Sequence, residues 1–173
     1  MNVNYKKTLK LVTLLAASLL IATVAAETYR YMYIDGSINI TNAKMLWILG
    51  GDAPTGTTIT GSTVSMTLDA ENGTLLNLTN VLFLKNANST GSFNIQISIT
   101  TALSASDFDT ANIHIYSNST GTWTFVDTLT LTNAADTYSG SLDAGNYLRM
   151  SYEIQATPEA SGSKPFDIQV RYN

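Results

Sequence analysis

Apolar residues recur at every second position through most of this chain, and after residue 26 no stretch holds a helical period. The clearest run is Phe93, Ile95, Ile97 and Ile99, facing one way, with Asn94, Gln96 and Ser98 facing the other. That is the pleat of a half-buried strand. Leu148, Met150, Tyr152 and Ile154 alternate in the same way, as do Phe166, Ile168, Val170 and Tyr172, and earlier Val64, Met66 and Leu68. Leu76 to Leu84 is more continuously apolar, the pattern expected of a strand buried on both faces. Ile113 and Ile115 mark a further strand, on which His114 points outward. Trp123, Phe125, Leu129 and Leu131 share a parity with the interrupting Asp127, which predicts a bulge or bend there. Both tryptophans are expected in the core, Trp123 by that parity and Trp47 by its place in the apolar run Met45 to Leu49. Ala102 to Thr110 could form a single helical turn.

The runs are separated by turn chemistry at 69–73, 88–91, 118–121 and 143–146, each holding a glycine with Asn or Asp. The segment from Thr157 to Lys164 reads as a long hairpin loop, and no linker or second domain is visible. Asn-Ser-Thr-Gly occurs twice, but the flanking strands differ in length and residue type, so it is not a structural repeat. Short strands at this spacing predict an all-β chain folded as an antiparallel β-sandwich.

Ahead of the strands, Lys6, Lys7 and Lys10 precede the apolar stretch Leu11 to Val24 and the small residues Val24-Ala25-Ala26, the three regions of a secretory signal. A type IV pilin leader would place a basic residue and then Gly or Ala just before the apolar run, which Lys6-Lys7-Thr8 does not. The expected organisation is a cleaved signal at 1–26, an aromatic N-terminal strand within 27–36, and a sandwich domain at 37–173. Removal of the signal leaves about 150 residues, the size of one domain with one core. Three of the nine basic residues go with the signal while the 13 acidic ones remain, giving a charge of about −7. That balance disfavours nucleic acid and anionic lipid as partners, and no later segment is long and apolar enough to anchor in a membrane. An exported chain without cysteine has no disulfides to lean on.

Thr28, Tyr29, Arg30, Tyr31, Met32, Tyr33 and Ile34 form a short apolar strand detached from the rest. Such a strand either pairs at an edge of its own subunit or is lent to a neighbour. Tyr29, Tyr31 and Tyr33 make the larger face and Arg30 sits on the other, so the tyrosines are favoured inward.

The order of signal, aromatic strand Tyr31-Met32-Tyr33-Ile34-Asp35, Leu-rich strand, Asn/Gly turn and Phe93-Asn94-Ile95-Gln96-Ile97 resembles the TasA/camelysin group of secreted fibre proteins. It is closer to the archaeal bundling pilus subunits related to them, over the whole mature chain. The resemblance implies a jelly-roll sandwich whose N-terminal strand, residues 28–34, fills a groove in the next identical subunit. Secreted extracellular filaments that bundle with neighbours in a biofilm would follow. Residues Asn39 to Lys44 match poorly the apolar and small residues that bacterial members carry after their first strand.

Five sequons, at Asn39, Asn72, Asn77, Asn88 and Asn118, suit an exported glycoprotein, although a chain so rich in Asn, Ser and Thr produces about four by chance. Asn72, Asn88 and Asn118 sit in expected turns, and Asn77 in a strand expected to be buried. Catalysis has little support: one histidine, no His-Glu-x-x-His, no Gly-x-Ser-x-Gly and no thiol. Asp143 and Glu153 could meet across strands as paired carboxylates. Asp69, Glu71 and Asn72, or Asp107 and Asp109, lack the spacing of a calcium loop, so no metal or cofactor is expected. The competing reading is a secreted carbohydrate-binding or surface-layer module, which needs exposed aromatics on one face.

Overall fold

The computed structural model describes residues 45–173; the leader, the aromatic strand at 28–34 and Asn39 lie outside the described residues. Among the described residues there are ten strands and no helix: β1 (Met45–Leu49), β2 (Thr58–Thr60), β3 (Thr63–Ser65), β4 (Leu75–Asn86), β5 (Ser92–Thr101), β6 (Phe108–Ser117), β7 (Thr124–Thr130), β8 (Thr137–Asp143), β9 (Tyr147–Ala156) and β10 (Asp167–Tyr172). One sheet has the order β1-β4-β9-β6-β7, the other β10-β5-β8, and β2 with β3 forms a small hairpin. Every pairing between strands is antiparallel.

The pairs β4 with β9, β5 with β8 and β6 with β7 are nested in the sequence like the rungs of one long hairpin. The middle pair lies in the smaller sheet, while the outer and inner pairs share the larger sheet through β6 and β9. A hairpin rolled over itself in this way is jelly-roll winding, and it makes an all-β sandwich. The core comes from the alternation read in the sequence. Ile95, Ile97 and Ile99 of β5 meet Leu148, Met150, Tyr152 and Ile154 of β9, with Ile113 and Ile115 of β6, and all are buried. One buried polar side chain ties two connections together. Asn86 donates from Nδ2 to the Leu142 carbonyl at 2.9 Å and accepts from the Asn88 N–H at 3.0 Å, so its burial leaves no unpaired amide.

Four expectations need correction. Leu76 to Leu84 is not buried on both faces. Leu76, Leu78, Leu82 and Leu84 point inward, but Leu75, Asn77 and Thr79 are exposed on the outer face, because among the described residues nothing layers over this side of the larger sheet. The loop at 157–164 is not a hairpin, since β9 and β10 belong to different sheets and the loop crosses between them. Residues 104–107 form a turn in which the Asp107 N–H donates to the Ser104 carbonyl, and β6 starts at Phe108, so no helical turn forms. Trp123 is 40% exposed and Trp47 is only partly buried.

The reason for the Trp123 error lies in the bulge itself. Ile113 pairs with Leu129 and Ile115 with Asp127, but the next residue, Tyr116, pairs with Phe125, leaving Val126 as the extra residue. The bulge is where the sequence placed it. Its consequence is that residues ahead of it change face, since one inserted residue inverts a period of two. Leu129 and Leu131 stay in the core while Phe125 and Trp123 move to the outer surface.

A second bulge lies in β4, where Leu78 pairs with Tyr152 and Leu82 with Met150. Its N–H groups are capped by Asp52, whose Oδ2 accepts from the Thr79 N–H at 3.2 Å, the Thr79 hydroxyl at 2.8 Å and the Asn80 N–H at 2.9 Å. Gly50 makes the close approach possible, because a Cβ there would fall 1.8 Å from the Asn80 carbonyl oxygen. The Thr79 hydroxyl first, and then the Asn80 N–H, hold the Asp52 carboxyl below its ordinary value of 3.8. A carboxyl depressed on folding contributes stability above its unfolded pKa and loses it as pH falls through the folded one. Acid titration of unfolding should therefore show a shallower loss of stability below about pH 4 in Asp52→Asn than in the parent. Equal acid limbs would mean that the charge contributes nothing.

Candidate functional site

Three strands cannot cover five. Strands in a sheet lie about 4.8 Å apart, so part of the larger sheet's inner face extends past the edge of the smaller one. That part faces a groove of about 1240 Å³. Its floor is apolar and belongs to both central strands of the larger sheet: Leu82 and Leu84 of β4, Met150, Tyr152 and Ile154 of β9. One wall is β10, with Ile168 and Val170 turned inward and half-buried. The second wall is the stretch after β3, where Val64, Met66, Leu68 and Ala70 alternate inward while Ser65, Thr67 and Asp69 face out.

Among the described residues both walls carry unpaired main chain. There β10 pairs with β5 alone, and Asn94 and Asn173 exchange both of their backbone hydrogen bonds, at 3.1 and 3.2 Å. Hydrogen-bonded pairs alternate along an antiparallel ladder, so Val170 and Tyr172, which stand opposite Ile97 and Ile95, turn their N–H and C=O groups away from β5. Across the groove, residues 66–70 have the side-chain pattern of a strand but make no backbone-to-backbone hydrogen bond among the described residues. An unpaired edge beside an apolar floor is a template for another strand.

The walls are pinned by polar contacts. Asn72 donates from Nδ2 to the carbonyls of Pro158 at 3.0 Å and Ala160 at 2.8 Å, and the Gly73 N–H donates to Ala156 at 2.8 Å. Lys164 pairs with Asp107 at 2.8 Å, and Trp47 donates from Nε1 to the Ser62 carbonyl at 3.0 Å. On the floor, the Tyr152 hydroxyl is buried and has no hydrogen-bond partner among the described residues. Burial pushes its pKa far up, so it remains a neutral donor.

The sequon residues are not gathered at this site. Asn72 spends both amide hydrogens on the carbonyls of the 156–166 loop, which a glycan on that nitrogen would have to displace. Asn118 accepts from the Tyr147 N–H at 2.6 Å, which leaves its Nδ2 without a protein partner among the described residues. Asn88 is half-buried, and Asn77 is exposed, not buried as the sequence pattern implied. Asp143 and Glu153 do not meet: Asp143 ends β8 in the smaller sheet, and Glu153 lies on the outer face of the larger one, 3.1 Å from Nε2 of His114. His114 faces outward, its Nδ1 2.9 Å from the Thr128 hydroxyl. Among the described residues no three His, Asp or Glu side chains converge as a metal site would need.

No protein-family model matches the chain, and no curated protein matches it. The groove was only half visible in the sequence. Alternation from Val64 to Leu68 identified an extended stretch, but the absence of a partner beside it depends on the sheet order.

An unpartnered buried hydroxyl is costly, so its removal should not weaken the fold. Tyr152→Phe should be neutral or more stable by up to about 1 kcal/mol in denaturant unfolding. A loss of more than about 1 kcal/mol would show that the hydroxyl has a partner in solution.

Proposed function

We propose that this protein is a secreted structural subunit that polymerises head to tail, lending residues 28–34 to the groove of the next copy. The observation that carries the reading is the juxtaposition of two main-chain edges that are unpaired among the described residues, β10 and residues 66–70, over an apolar floor. A donated strand would complete the smaller sheet, adding ladder hydrogen bonds at Val170 and Tyr172 and side chains against Leu84, Met150 and Tyr152. The lengths agree: β10 has six residues and Thr28 to Ile34 has seven. Burial of three or four large side chains at about 1.5–3 kcal/mol each gives on the order of 5–12 kcal/mol before the entropy of ordering is subtracted. The resemblance to fibre subunits, and the signal-like stretch ahead of the strand, point the same way.

Donation between copies is a heterologous contact, and such contacts extend without closing. The chain then grows a filament, and the larger sheet's outer face stays free along its length. Bundling with neighbouring filaments outside the cell is part of the same proposal.

The secreted protein, its Glu27–Asp35 deletion and Val170→Lys should be compared by electron microscopy and sedimentation. The parent is expected to form uniform filaments, and both variants to remain folded monomers. Addition of the peptide Thr28 to Ile34 should raise the deletion's melting temperature by several degrees, because it binds only the native state. Filaments from the deletion, or a monodisperse parent, would contradict the proposal; the latter would mean that the strand folds back into its own groove.

A further inference from the structure

The outer face of the larger sheet carries a feature that polymerisation through the groove does not use. Ile48 pairs with Phe83, Phe83 with Arg149, Arg149 with Tyr116, and Tyr116 with Phe125. These five residues form one row straight across all five strands, from the β1 edge to the β7 edge. At about 4.8 Å per strand the row is roughly 19 Å long. Trp123 completes it, its ring 5.6 Å from Phe83. Phe125 contacts Tyr116 edge-on at 5.7 Å. Phe125 is 54% exposed, and Ile48 and Trp123 are also open to solvent. The β7 bulge creates this surface, because with Val126 paired in a regular ladder both Trp123 and Phe125 would point into the core.

Charge on this face runs against the rest of the domain. Arg149 lies flat between two rings, 4.2 Å from the centroid of Tyr116 and 5.0 Å from that of Trp123, with Nη1 donating to Asn80. Its Nε is buried and has no hydrogen-bond partner among the described residues. Lys85, two positions along β4 from Phe83, sits 5.1 Å over Tyr147. Among the described residues neither cation has a carboxylate partner: Glu153 is engaged by His114, and Asp52 by Thr79 and Asn80. The described residues contain four Lys and Arg against eleven Asp and Glu, and two of those four lie on this face, neither in a salt bridge among the described residues.

We propose that this face binds an extended anionic polysaccharide, a chain of uronate-containing sugars. The C–H faces of pyranose rings pack on half-exposed aromatic rings, which bury apolar area without losing many rotamers. Their carboxylates complement the two unpaired cations, a guanidinium fixed in plane being suited to a planar carboxylate. The row's length accommodates about four sugars laid across the strands. The alternative occupant is a second copy of the chain, whose acidic surface offers the same charge without the repeating flat faces that a linear row matches.

The test is affinity electrophoresis of the full secreted chain in gels containing polygalacturonate or a neutral β-glucan, with Trp123→Ala/Phe125→Ala, Phe125→Ala and Lys85→Gln as variants. Phe125→Ala removes the most exposed ring and keeps the test open if the double variant fails to fold. Polygalacturonate should retard the parent and the neutral glucan much less. The double variant should bind at least tenfold more weakly, and Lys85→Gln should bind several-fold more weakly with a shallower dependence on salt. The proposal fails if polygalacturonate causes no retardation, if the aromatic variants are retarded like the parent, or if both glycans act equally on the parent and on Lys85→Gln. It also fails if the parent binds no glycan but loses lateral self-association on Trp123→Ala/Phe125→Ala, which would assign the face to a second copy.

Discussion

The structure depends on a main-chain pairing that is unmet among the described residues: the outer edge of β10, set beside an apolar floor that its own sheet is too narrow to cover. A five-stranded layer and a three-stranded layer cannot close a sandwich with equal sides. The winding leaves β7 and β8 against each other on one side, so the deficit appears on the other, between β10 and the chain after β3. The polar contacts nearby keep that side open. Asn72 and Gly73 hold the 61–73 segment to the 156–160 loop, and Lys164 holds the far end of that loop to Asp107. These ties space the walls while, among the described residues, the outer edge of β10 and residues 66–70 keep no backbone partner.

On the proposed reading the two faces of the larger sheet have separate tasks. Leu82 and Leu84 of β4 and Met150, Tyr152 and Ile154 of β9 supply the groove floor, while Phe83, Lys85, Arg149 and Glu153 lie on the outer face, so one pair of strands serves both. A strand inserted on the inner side leaves the aromatic row untouched, and a ligand on the outer side leaves the groove untouched. In a filament built through the groove, the row would repeat once per subunit. Weak binding at each copy would then add up along the polymer, as multivalent attachment does.

Much of this was legible in the sequence, and the reasons for success and failure are local against non-local. Phe93 to Ile99 and Leu148 to Ile154 were read correctly because burial on one face imposes a period of two wherever the strand lies. The bulge near Asp127 was also legible, because a polar residue interrupted an apolar parity. Its effect on Trp123 was not, since which residue is extra depends on the register against β6. The 157–164 loop was misread for a related reason: alternation on either side of a loop says that two strands exist, and nothing about whether they share a sheet. The stretch from Met66 to Ala70 has the pattern of a strand, yet its missing partner is a fact about sheet order that no single segment contains. The strand at 28–34 lies outside the described residues, so the proposal that it fills the groove of a neighbour is argued from the geometry of the groove alone.

Hydrogen exchange at that receiving edge addresses the central claim most directly. Amide exchange should be compared between assembled protein and the subunit lacking residues 27–35, with attention to Val170, Tyr172 and residues 66–70. Donation into the groove should slow the amides of Val170 and Tyr172 by orders of magnitude on assembly, together with some of those in 66–70, while Arg171, already bonded to β5, changes little. Equally fast exchange at Val170 and Tyr172 in both states would mean that the edge stays unpaired in the polymer, and that the groove is not where subunits join.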